Sequence, residues 1–405
     1  MTSRYARQRD VPSAIDAARI DGVLRAVAEG REDAYLSAGT AQSHAAMLER
    51  LPDGSLGMVW FGGTQEGVSD ISVWFSRFDE VDHCWSAAQR LSDDPDRSEQ
   101  NPVLFTTPAG ELWLLFTAQH AGDQDTAHVR RRRSSDSGRS WSDVETLFPA
   151  DDVGGIFVRQ PIVVTPSGRW ILPIFHCVRV PGQRWTGEVD TSAVMISDDA
   201  GAHWREVVVS ESTGLVHMSV VLIDDGSLHA LFRSRWADAI YESRSLDEGE
   251  TWSLPEPTAL PNNNSSIQHR MSPGGRIALV YNHSSRDDAT ERRASLYDEI
   301  DDTAALRHEA PAEPSSLGRA FWGAPRAPLT LALSDDSGRS WWVLDDLDQG
   351  DGYCLTNDSL HGRNREFSYP TVLPSPDGGW DVAYTYHRQA IKHVRLSSEW
   401  VDARP

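Results

Sequence analysis

Four copies of one eight-residue motif restrict the fold of this 405-residue chain more than any other feature. Each copy reads Ser-x-Asp-x-Gly-x-x-Trp, and the copies span 134–141, 197–204, 245–252 and 334–341. In such a motif Asp and Ser bond the backbone of a tight turn, Gly adopts a positive φ, and Trp packs onto the hairpin. The pattern predicts structural hairpins built on Asp136, Trp141, Asp199, Trp204, Asp247, Trp252, Asp336 and Trp341.

A turn glycine followed by an alternating apolar strand recurs independently of the first motif. Its six copies are centred on Gly54, Gly110, Gly168, Gly226, Gly275 and Gly378. Each copy is typical of the turn between the two inner strands of a propeller blade, and the first motif then joins the two outer strands. Six copies predict an all-β, six-bladed β-propeller, and a strand around 34–39 should complete the last blade and close the ring.

The propeller is expected to occupy residues 33–405 as one domain. Residues 1–32 are predicted to form an N-terminal helical extension, because apolar residues recur at helical spacing over 13–29. A charged insertion rich in Ala and Pro, at about 284–327, should form a loop or short helix over one face.

The composition and net charge of the chain limit the classes of molecule that it is expected to bind. The formal net charge of −22 argues against nucleic acid or an anionic membrane surface, although a local group of arginines can still bind an acidic small molecule. The three cysteines give no disulfide pattern or zinc spacing, and no metal or other cofactor is expected. One weaker idea is that His120, His128, His176 and Asp190 meet in space. With no signal peptide or long apolar run, the chain is predicted to be cytoplasmic.

Polar residues beside the inner strands are the candidate site residues, because loops and inner-strand ends of a propeller meet at its axis. The catalytic candidates are His44, Glu66, Asp70, Asp190, His217, Tyr369 and Tyr386. The candidates for binding a small carbohydrate are Gln100, Asn101, Arg159, Gln160, Arg233, Arg235, Asn264, Asn282 and Arg388. We expect these side chains to line one open cavity.

With these motifs, residues from about 35 to 400 resemble the sialidase superfamily of Asp-box, or BNR-repeat, proteins. The resemblance implies an arginine triad for the substrate carboxylate, an Asp general acid, and a Tyr nucleophile paired with a Glu. By position, His44 stands where a sialidase has its first arginine. Glu66 or Asp70 represents the acidic loop that follows.

The later blades depart further from the sialidase pattern. His217 falls near the position of the glutamate, while Arg233 or Arg235 corresponds to an arginine of the triad. The position of the nucleophile falls on Phe367, with Tyr369 two residues later. Because Phe cannot act as a nucleophile, the chain is not expected to be an orthodox sialidase.

Three functions follow from these residues. The first is an exo-type glycoside hydrolase on a small, imported acidic sugar, with its carboxylates drawn from Glu66, Asp70, Asp125, Asp190 and Asp238. The second is a uronate lyase. In it His44 or His217 would be the base and Tyr369 or Tyr386 the acid, while Arg159 or Arg233 would neutralise the substrate carboxylate. The third is a sugar-binding propeller without catalysis. Hydrolysis leads, because it is the commoner outcome on this fold.

Overall fold

The computed structural model describes residues 15–293, 295–296 and 319–404 and contains six antiparallel sheets. Its strands, in chain order, are β1 Arg25–Ala28, β2 Arg31–Leu36, β3 Gln42–Arg50, β4 Leu56–Gly63, β5 Ser72–Asp79, β6 Cys84–Trp85, β7 Gln89–Arg90, β8 Arg97–Thr106, β9 Leu112–His120, β10 Asp123–Ser134, β11 Glu145–Phe148, β12 Gly154–Val158, β13 Val163–Val164, β14 Trp170–Val178, β15 Thr191–Ser197, β16 Arg205–Val208, β17 Leu215–Leu222, β18 Leu228–Ser234, β19 Ala239–Ser245, β20 Glu256–Pro261, β21 Gln268–Met271, β22 Ile277–Asn282, β23 Leu329–Ser334, β24 Trp342–Asp348, β25 Phe367–Pro374, β26 Trp380–Tyr386 and β27 Ala390–Leu396. Two 3-10 turns, Ala17–Arg19 and Arg286–Asp288, and helix α1, Ser398–Asp402, accompany them. No helix in these described segments has the length and apolarity needed to cross a lipid bilayer.

The sheets confirm the predicted six-bladed β-propeller. Blade 1 contains β3–β7, blade 2 β8–β11, blade 3 β12–β16, blade 4 β17–β20 and blade 5 β21–β24. The innermost strands contact one another around the axis, since β3 contacts β25 and β8, and β21 contacts β25 and β17. Apolar side chains fill the space between the sheets, and Trp60, Phe116 and Trp380 are almost fully buried there.

Blade 6 is built from both ends of the chain. Strand β2 pairs antiparallel with β27, which pairs with β26 and, through it, with β25. This pairing confirms the predicted closing strand and removes a free sheet edge. A buried ion-pair group fixes the junction, because Nζ of Lys392 lies 2.9 Å from carboxylate oxygens of both Asp33 and Asp348.

The N-terminal helix predicted over 13–29 is not present in the described part of that segment. Residues 13 and 14 lie outside the described residues, Ala17–Arg19 forms a single 3-10 turn, and Arg25–Ala28 is the exposed edge strand of blade 6. Helical propagation fails because Asp21 accepts the amide hydrogen of Val23 and Gly22 has a φ of 75°. Of the predicted insertion, residues 294 and 297–318 lie outside the described residues.

Both sequence repeats form the turns predicted for them. The six glycines of the second repeat join the first two strands of each blade and have φ angles between 80° and 88°. The four eight-residue motifs join the third and fourth strands of blades 2 to 5. In the first motif the amide of Gly138 donates to Ser134 Oγ and the amide of Ser140 donates to Asp136 Oδ1, both at 2.8 Å. The hairpin role of the motif is therefore confirmed.

The motif tryptophans are half-buried, and this limits their contribution to stability. Trp141 packs edge-on against Phe75 at 5.6 Å between ring centroids, whereas Trp60 is 0% exposed. We expect Trp141→Ala to lower the free energy of unfolding by about 2 kcal/mol and Trp60→Ala by about 3–5 kcal/mol. Urea unfolding followed by tryptophan fluorescence measures both values. Equal losses in the two variants would contradict this difference in burial.

The innermost strands of four of the six blades share a bulge near their first residues. The pairing register shifts between His44 and Met47 in β3, Gln100 and Val103 in β8, Val216 and Ser219 in β17, and Ser368 and Thr371 in β25. Each bulge holds one residue with a φ between 49° and 60°, namely Ala45, Asn101, His217 and Tyr369. Bulges re-aim side chains and are common beside functional sites.

Candidate active site

One end of the propeller gathers the polar side chains that the sequence singled out. The first residues of an inner strand pair with the last residues of the next strand, as in His44 with Phe61 and Val216 with Arg233. The loops between the second and third strands therefore leave from this same end. Six side chains meet there and are called the Tyr369 cluster: His44, Arg159, His217, Arg233, Arg326 and Tyr369.

Tyr369 lies at the centre of this cluster. Its ring centroid is 4.4 Å from that of His44 and 5.6 Å from that of His217. The guanidinium carbons lie at similar distances from it, at 5.5 Å for Arg159, 5.7 Å for Arg233 and 5.6 Å for Arg326. Three positive charges from three blades thus surround one phenol ring.

Arg159 reaches across the axis from blade 3. Its Nη2 donates to the carbonyl oxygens of Ala46 and Tyr369, both at 3.0 Å, and its Nε donates to Ser266 Oγ at 3.3 Å. Burial, together with Arg233, lowers the pKa of Arg159 to about 10. The side chain is still a cation at neutral pH, and it joins blades 1, 3, 5 and 6.

Arg233 makes the direct contact with the Tyr369 hydroxyl. Its Nη1 donates to that oxygen at 2.8 Å and lies 3.3 Å from Nε2 of His217. Its Nε donates to Asn264 Oδ1 at 2.8 Å. Arg159 and Arg233 are each 1% exposed, so they do not line the open cavity expected from the sequence.

A buried chain of ion pairs supports one side of the cluster. Glu366 accepts from Arg326 Nη1 at 2.5 Å and from Arg388 Nε, while Arg388 Nη1 donates to Glu66 at 2.6 Å. Burial opposes ionisation, yet Arg388 and Arg326 hold the pKa of Glu366 well below its usual range. Glu66 is thus engaged with Arg388 and is not available as an acid beside Tyr369.

Burial favours the neutral form of both histidines of the cluster. Burial, with Arg388 acting on His44 and Arg233 acting on His217, lowers the pKa of each ring well below 6.5. Nδ1 of His44 lies 2.7 Å from Oγ1 of Thr385. In the described parts of the chain, Nε2 of His44, Nδ1 of His217 and Nη1 of Arg159 are buried without a hydrogen-bond partner. Such atoms are uncommon in folded proteins, and a bound ligand or water is one of the explanations for them.

His387, in the turn after β26, gives the clearest pH dependence of stability. Burial lowers the pKa of this ring to about 4. The ring in the unfolded chain takes up a proton near pH 6.5, whereas the folded ring does so only near pH 4. As the pH is lowered from 6.5 to 4, the free energy of unfolding should therefore decrease by about 1.4 kcal/mol per pH unit from this one group. Urea unfolding at several pH values tests this, with His387→Asn expected to reduce the slope by about one proton. An unchanged slope in the variant would be evidence against a neutral buried ring.

Asp190 and Arg235 form a separate pair beside the cluster. Arg235 Nη2 donates to Asp190 Oδ2 at 2.7 Å, and Trp185 Nε1 donates to Oδ1 at 2.9 Å. The guanidinium of Arg235 also lies 5.2 Å from the ring of Trp322, which is 5.9 Å from Arg233. The carboxylate is therefore paired and faces Arg235.

Several predicted site residues lie away from Tyr369. Asp70 is exposed and accepts the amide hydrogen of Thr64 at 3.1 Å, so it holds its own turn. The ring of Tyr386 packs against the rings of Tyr35, Phe367 and His387 in blade 6. The structure does not bring these two catalytic candidates to the cluster.

The predicted amide side chains have structural partners. Gln100 donates to Ser98 Oγ at 2.9 Å, Asn101 occupies the β8 bulge, Gln160 donates to the carbonyl of Ile267 at 2.7 Å, and Asn282 donates to that of Phe367 at 2.8 Å. Only Asn264 contacts the cluster, through Arg233. Most of these amides therefore hold backbone near the axis.

A short segment of the insertion covers the cluster. The amide of Phe321 donates to the carbonyl of Arg235 at 2.8 Å, and the carbonyl of Phe321 accepts from Asn264 Nδ2 at 2.9 Å. Asn263 Nδ2 donates to the carbonyl of Pro325 at 2.7 Å. With this segment in place Tyr369 is 6% exposed.

Sequence reasoning missed Glu366 and Arg326. Arg326 lies in the segment assigned to an insertion, where nothing local marks it as part of the site. Glu366 directly precedes Phe367 at the start of the sixth inner strand, and this position could have identified it as a candidate site residue.

The proposed meeting of His120, His128, His176 and Asp190 does not occur. His120 lies 3.1 Å from Arg97, and His176 lies 2.9 Å from Glu206. Within the residues that the structure describes, no group of three His, Cys, Asp or Glu side chains could hold a metal ion.

Comparison with known proteins supports the fold. The sequence profile of the BNR repeat-like domain family matches residues 54–382. The Hadza microbial sialidase is similar in structure, with a TM-score of 0.63, 14% identity, and coverage of 92% of this chain and 69% of that chain. A protein of unknown function from Dyadobacter fermentans gives a TM-score of 0.60 at 15% identity, with coverage of 93% and 98%.

A third similar structure is the Trypanosoma rangeli sialidase in complex with sialic acid. Its TM-score is 0.60 at 14% identity, and the match covers 94% of this chain and 58% of that chain. No curated protein matches the sequence. At these identities the likenesses show a shared fold.

Proposed function

The chain belongs to the BNR repeat-like domain family, and on that premise we propose that it binds the carboxylate of a small acidic sugar at the Tyr369 cluster and cleaves the glycosidic bond there. The observation that carries the proposal is the set of three buried arginines around one tyrosine. Guanidinium groups bind carboxylates by charge and by paired hydrogen bonds. Burial strengthens this attraction, which offsets the repulsion from an acidic protein surface.

β-Elimination is the reaction that these side chains fit best. In it a base removes the proton on the carbon next to the carboxylate, the bond to the leaving oxygen breaks, a carbon–carbon double bond forms, and the leaving oxygen takes up a proton. Arginine neutralises the carboxylate and so stabilises the charge that develops on it. An ionised Tyr369 oxygen, placed among the arginines, could accept this proton and then donate it to the leaving oxygen, which would regenerate the phenolate.

Elimination is favoured over hydrolysis because the carboxylates expected from the sequence are already paired with other groups. Glycoside hydrolysis needs an acidic side chain over the scissile bond. Each carboxylate expected from the sequence has another partner: Glu66 with Arg388, Asp70 with Thr64, Asp125 with Arg179, Asp190 with Arg235 and Asp238 with Ser234. Elimination requires none of them.

Hydrolysis with Tyr369 as the nucleophile is the second candidate. Tyr369 lies two residues from the position of the nucleophile in the sialidase pattern, and similar folds include proteins named as sialidases. In this reaction the Tyr369 oxygen would bond to the anomeric carbon as the glycosidic bond breaks, and the phenol proton would pass to the leaving oxygen. Water would later displace the Tyr369 oxygen from the anomeric carbon and return a proton to it.

One assay separates these reactions. The purified chain is incubated with uronate-containing disaccharides and with 3′-sialyllactose, and both near-ultraviolet absorbance and reducing sugar are recorded. Elimination predicts a new near-ultraviolet band from the unsaturated uronate. Hydrolysis predicts reducing sugar without the band, and binding without either signal would leave a non-catalytic sugar-binding propeller.

A further inference from the structure

The hydrogen-bond partners of His44 determine which ring nitrogen carries its hydrogen. Oγ1 of Thr385 accepts the amide hydrogen of Ala45 at 3.0 Å and lies 2.7 Å from Nδ1 of His44. We infer that the Thr385 hydroxyl donates to Nδ1, because Oγ1 already accepts the amide hydrogen of Ala45. A neutral imidazole carries a single hydrogen, so a ring that accepts at Nδ1 holds its hydrogen on Nε2. The unpartnered Nε2 of His44 is therefore a donor.

The same reasoning applies to His217 with the nitrogens exchanged. Its Nε2 lies 3.3 Å from Nη1 of Arg233, and a guanidinium can only donate. Nε2 must accept, and the hydrogen of the neutral ring is then on Nδ1. The unpartnered Nδ1 of His217 is a donor as well.

Arg159 supplies the third unpartnered atom. Its Nη1 is buried and can only donate, while Nη2 and Nε of the same group are fully engaged with blades 1, 5 and 6. The three unpartnered atoms of the Tyr369 cluster are thus all donors. Hydrogen-bond donors that lack a partner are complementary to an anion with several oxygen lone pairs, such as a carboxylate.

We propose that His44, His217 and Arg159 form a donor-only cradle for the carboxylate of the sugar acid, in which both histidines donate hydrogen bonds and neither takes up a proton during the reaction. The proposal rests on the proposed function and deepens it. It replaces the expectation that His44 or His217 is the base, and it assigns the proton exchange to the Tyr369 oxygen.

Amide substitutions test the cradle, because the side-chain nitrogen of Gln can replace an imidazole Nε2–H and that of Asn an imidazole Nδ1–H. Binding of D-glucuronate and of N-acetylneuraminate to the full chain is measured by calorimetry, with D-glucose as the uncharged control. We expect His44→Gln and His217→Asn to bind within about 5-fold of wild type, and His44→Ala and His217→Ala to bind roughly 10-fold to 100-fold more weakly.

The wild-type protein provides a second test that does not depend on any variant folding. Long-range proton–nitrogen spectra of histidine-labelled protein should show the hydrogen of His44 on Nε2 and that of His217 on Nδ1, unchanged between pH 6 and 8. The opposite tautomers, or titration of either ring in this range, would overturn the cradle. Loss of binding in the amide variants equal to that in the alanine variants would do the same.

The results of these binding and cleavage experiments also distinguish failure of the cradle proposal from failure of the proposed function. Sugar-acid binding with the expected variant pattern but without bond cleavage would refute the proposed function and leave the cradle in place. Cleavage accompanied by a titrating His44 or His217 would support the function and refute the cradle. Failure of wild type to bind either sugar acid would refute the cradle.

Discussion

Tyr369→Phe should lower turnover of the substrate identified by the ultraviolet and reducing-sugar assay by about 100-fold to 10,000-fold, the usual contribution of a proton-transferring side chain. The phenol oxygen is the atom that the cluster presents for proton exchange, and it is the only atom that this substitution removes. The ring, its packing against His44 and the carbonyl that binds Arg159 remain. We therefore expect a loss in kcat with little change in KM or in the unfolding transition.

Tyr386→Phe is the matched control. Tyr386 ends strand β26 in the same blade, and its ring packs against Tyr35 and Phe367 away from the cluster. We expect wild-type kcat in this variant. If Tyr369→Phe keeps turnover within twofold of wild type, Tyr369 exchanges no proton with the substrate and both candidate reactions fail.

Glu366→Ala should lower the free energy of unfolding by about 3–5 kcal/mol, as observed when one member of a buried ion pair is removed. The substitution leaves Arg326 and Arg388 buried without their shared carboxylate, although Arg388 still contacts Glu66. Chemical denaturation followed by circular dichroism gives the value. Sugar-acid binding should also weaken, because Arg326 loses the bond that holds it beside Tyr369.

Asp335→Asn is the control for the charge change alone. The Arg276–Asp335 pair has side chains that are 37% and 53% exposed, so its loss should cost less than about 1 kcal/mol. A similar small loss in Glu366→Ala would show that the arginines relax to solvent and that the ion-pair chain does not fix the cluster.

The fold could be predicted from the sequence because its signals are local and repeated. Each glycine turn and each Ser-x-Asp-x-Gly-x-x-Trp motif specifies one hairpin, and their alternation gives the order of strands in a blade. The helix predicted over 13–29 was wrong in its described part, because the prediction rested on the spacing of apolar residues alone. It took no account of Asp21 and Gly22, which end helical propagation.

Part of the candidate site could also be located from position in the repeat. His44, Arg159, His217 and Tyr369 lie at the mouths of inner strands, and ring geometry then brings those mouths together. The ion pairs beside these residues could not be predicted, because Glu366 and Arg388 come from two separate loops of blade 6 and Arg326 comes from blade 5. Burial of Arg159 was missed because its partners, Ala46, Ser266 and Tyr369, lie in three other blades.

The pairing of β2 with β27 makes the order of synthesis matter. The strands of the other five blades lie between β2 and β27 in the chain, so the ring stays open until all of them have been synthesised. Through that period β2 offers an unsatisfied backbone edge to neighbouring nascent chains, and such edges promote mispairing. The last blade is therefore completed only after the other five have been synthesised.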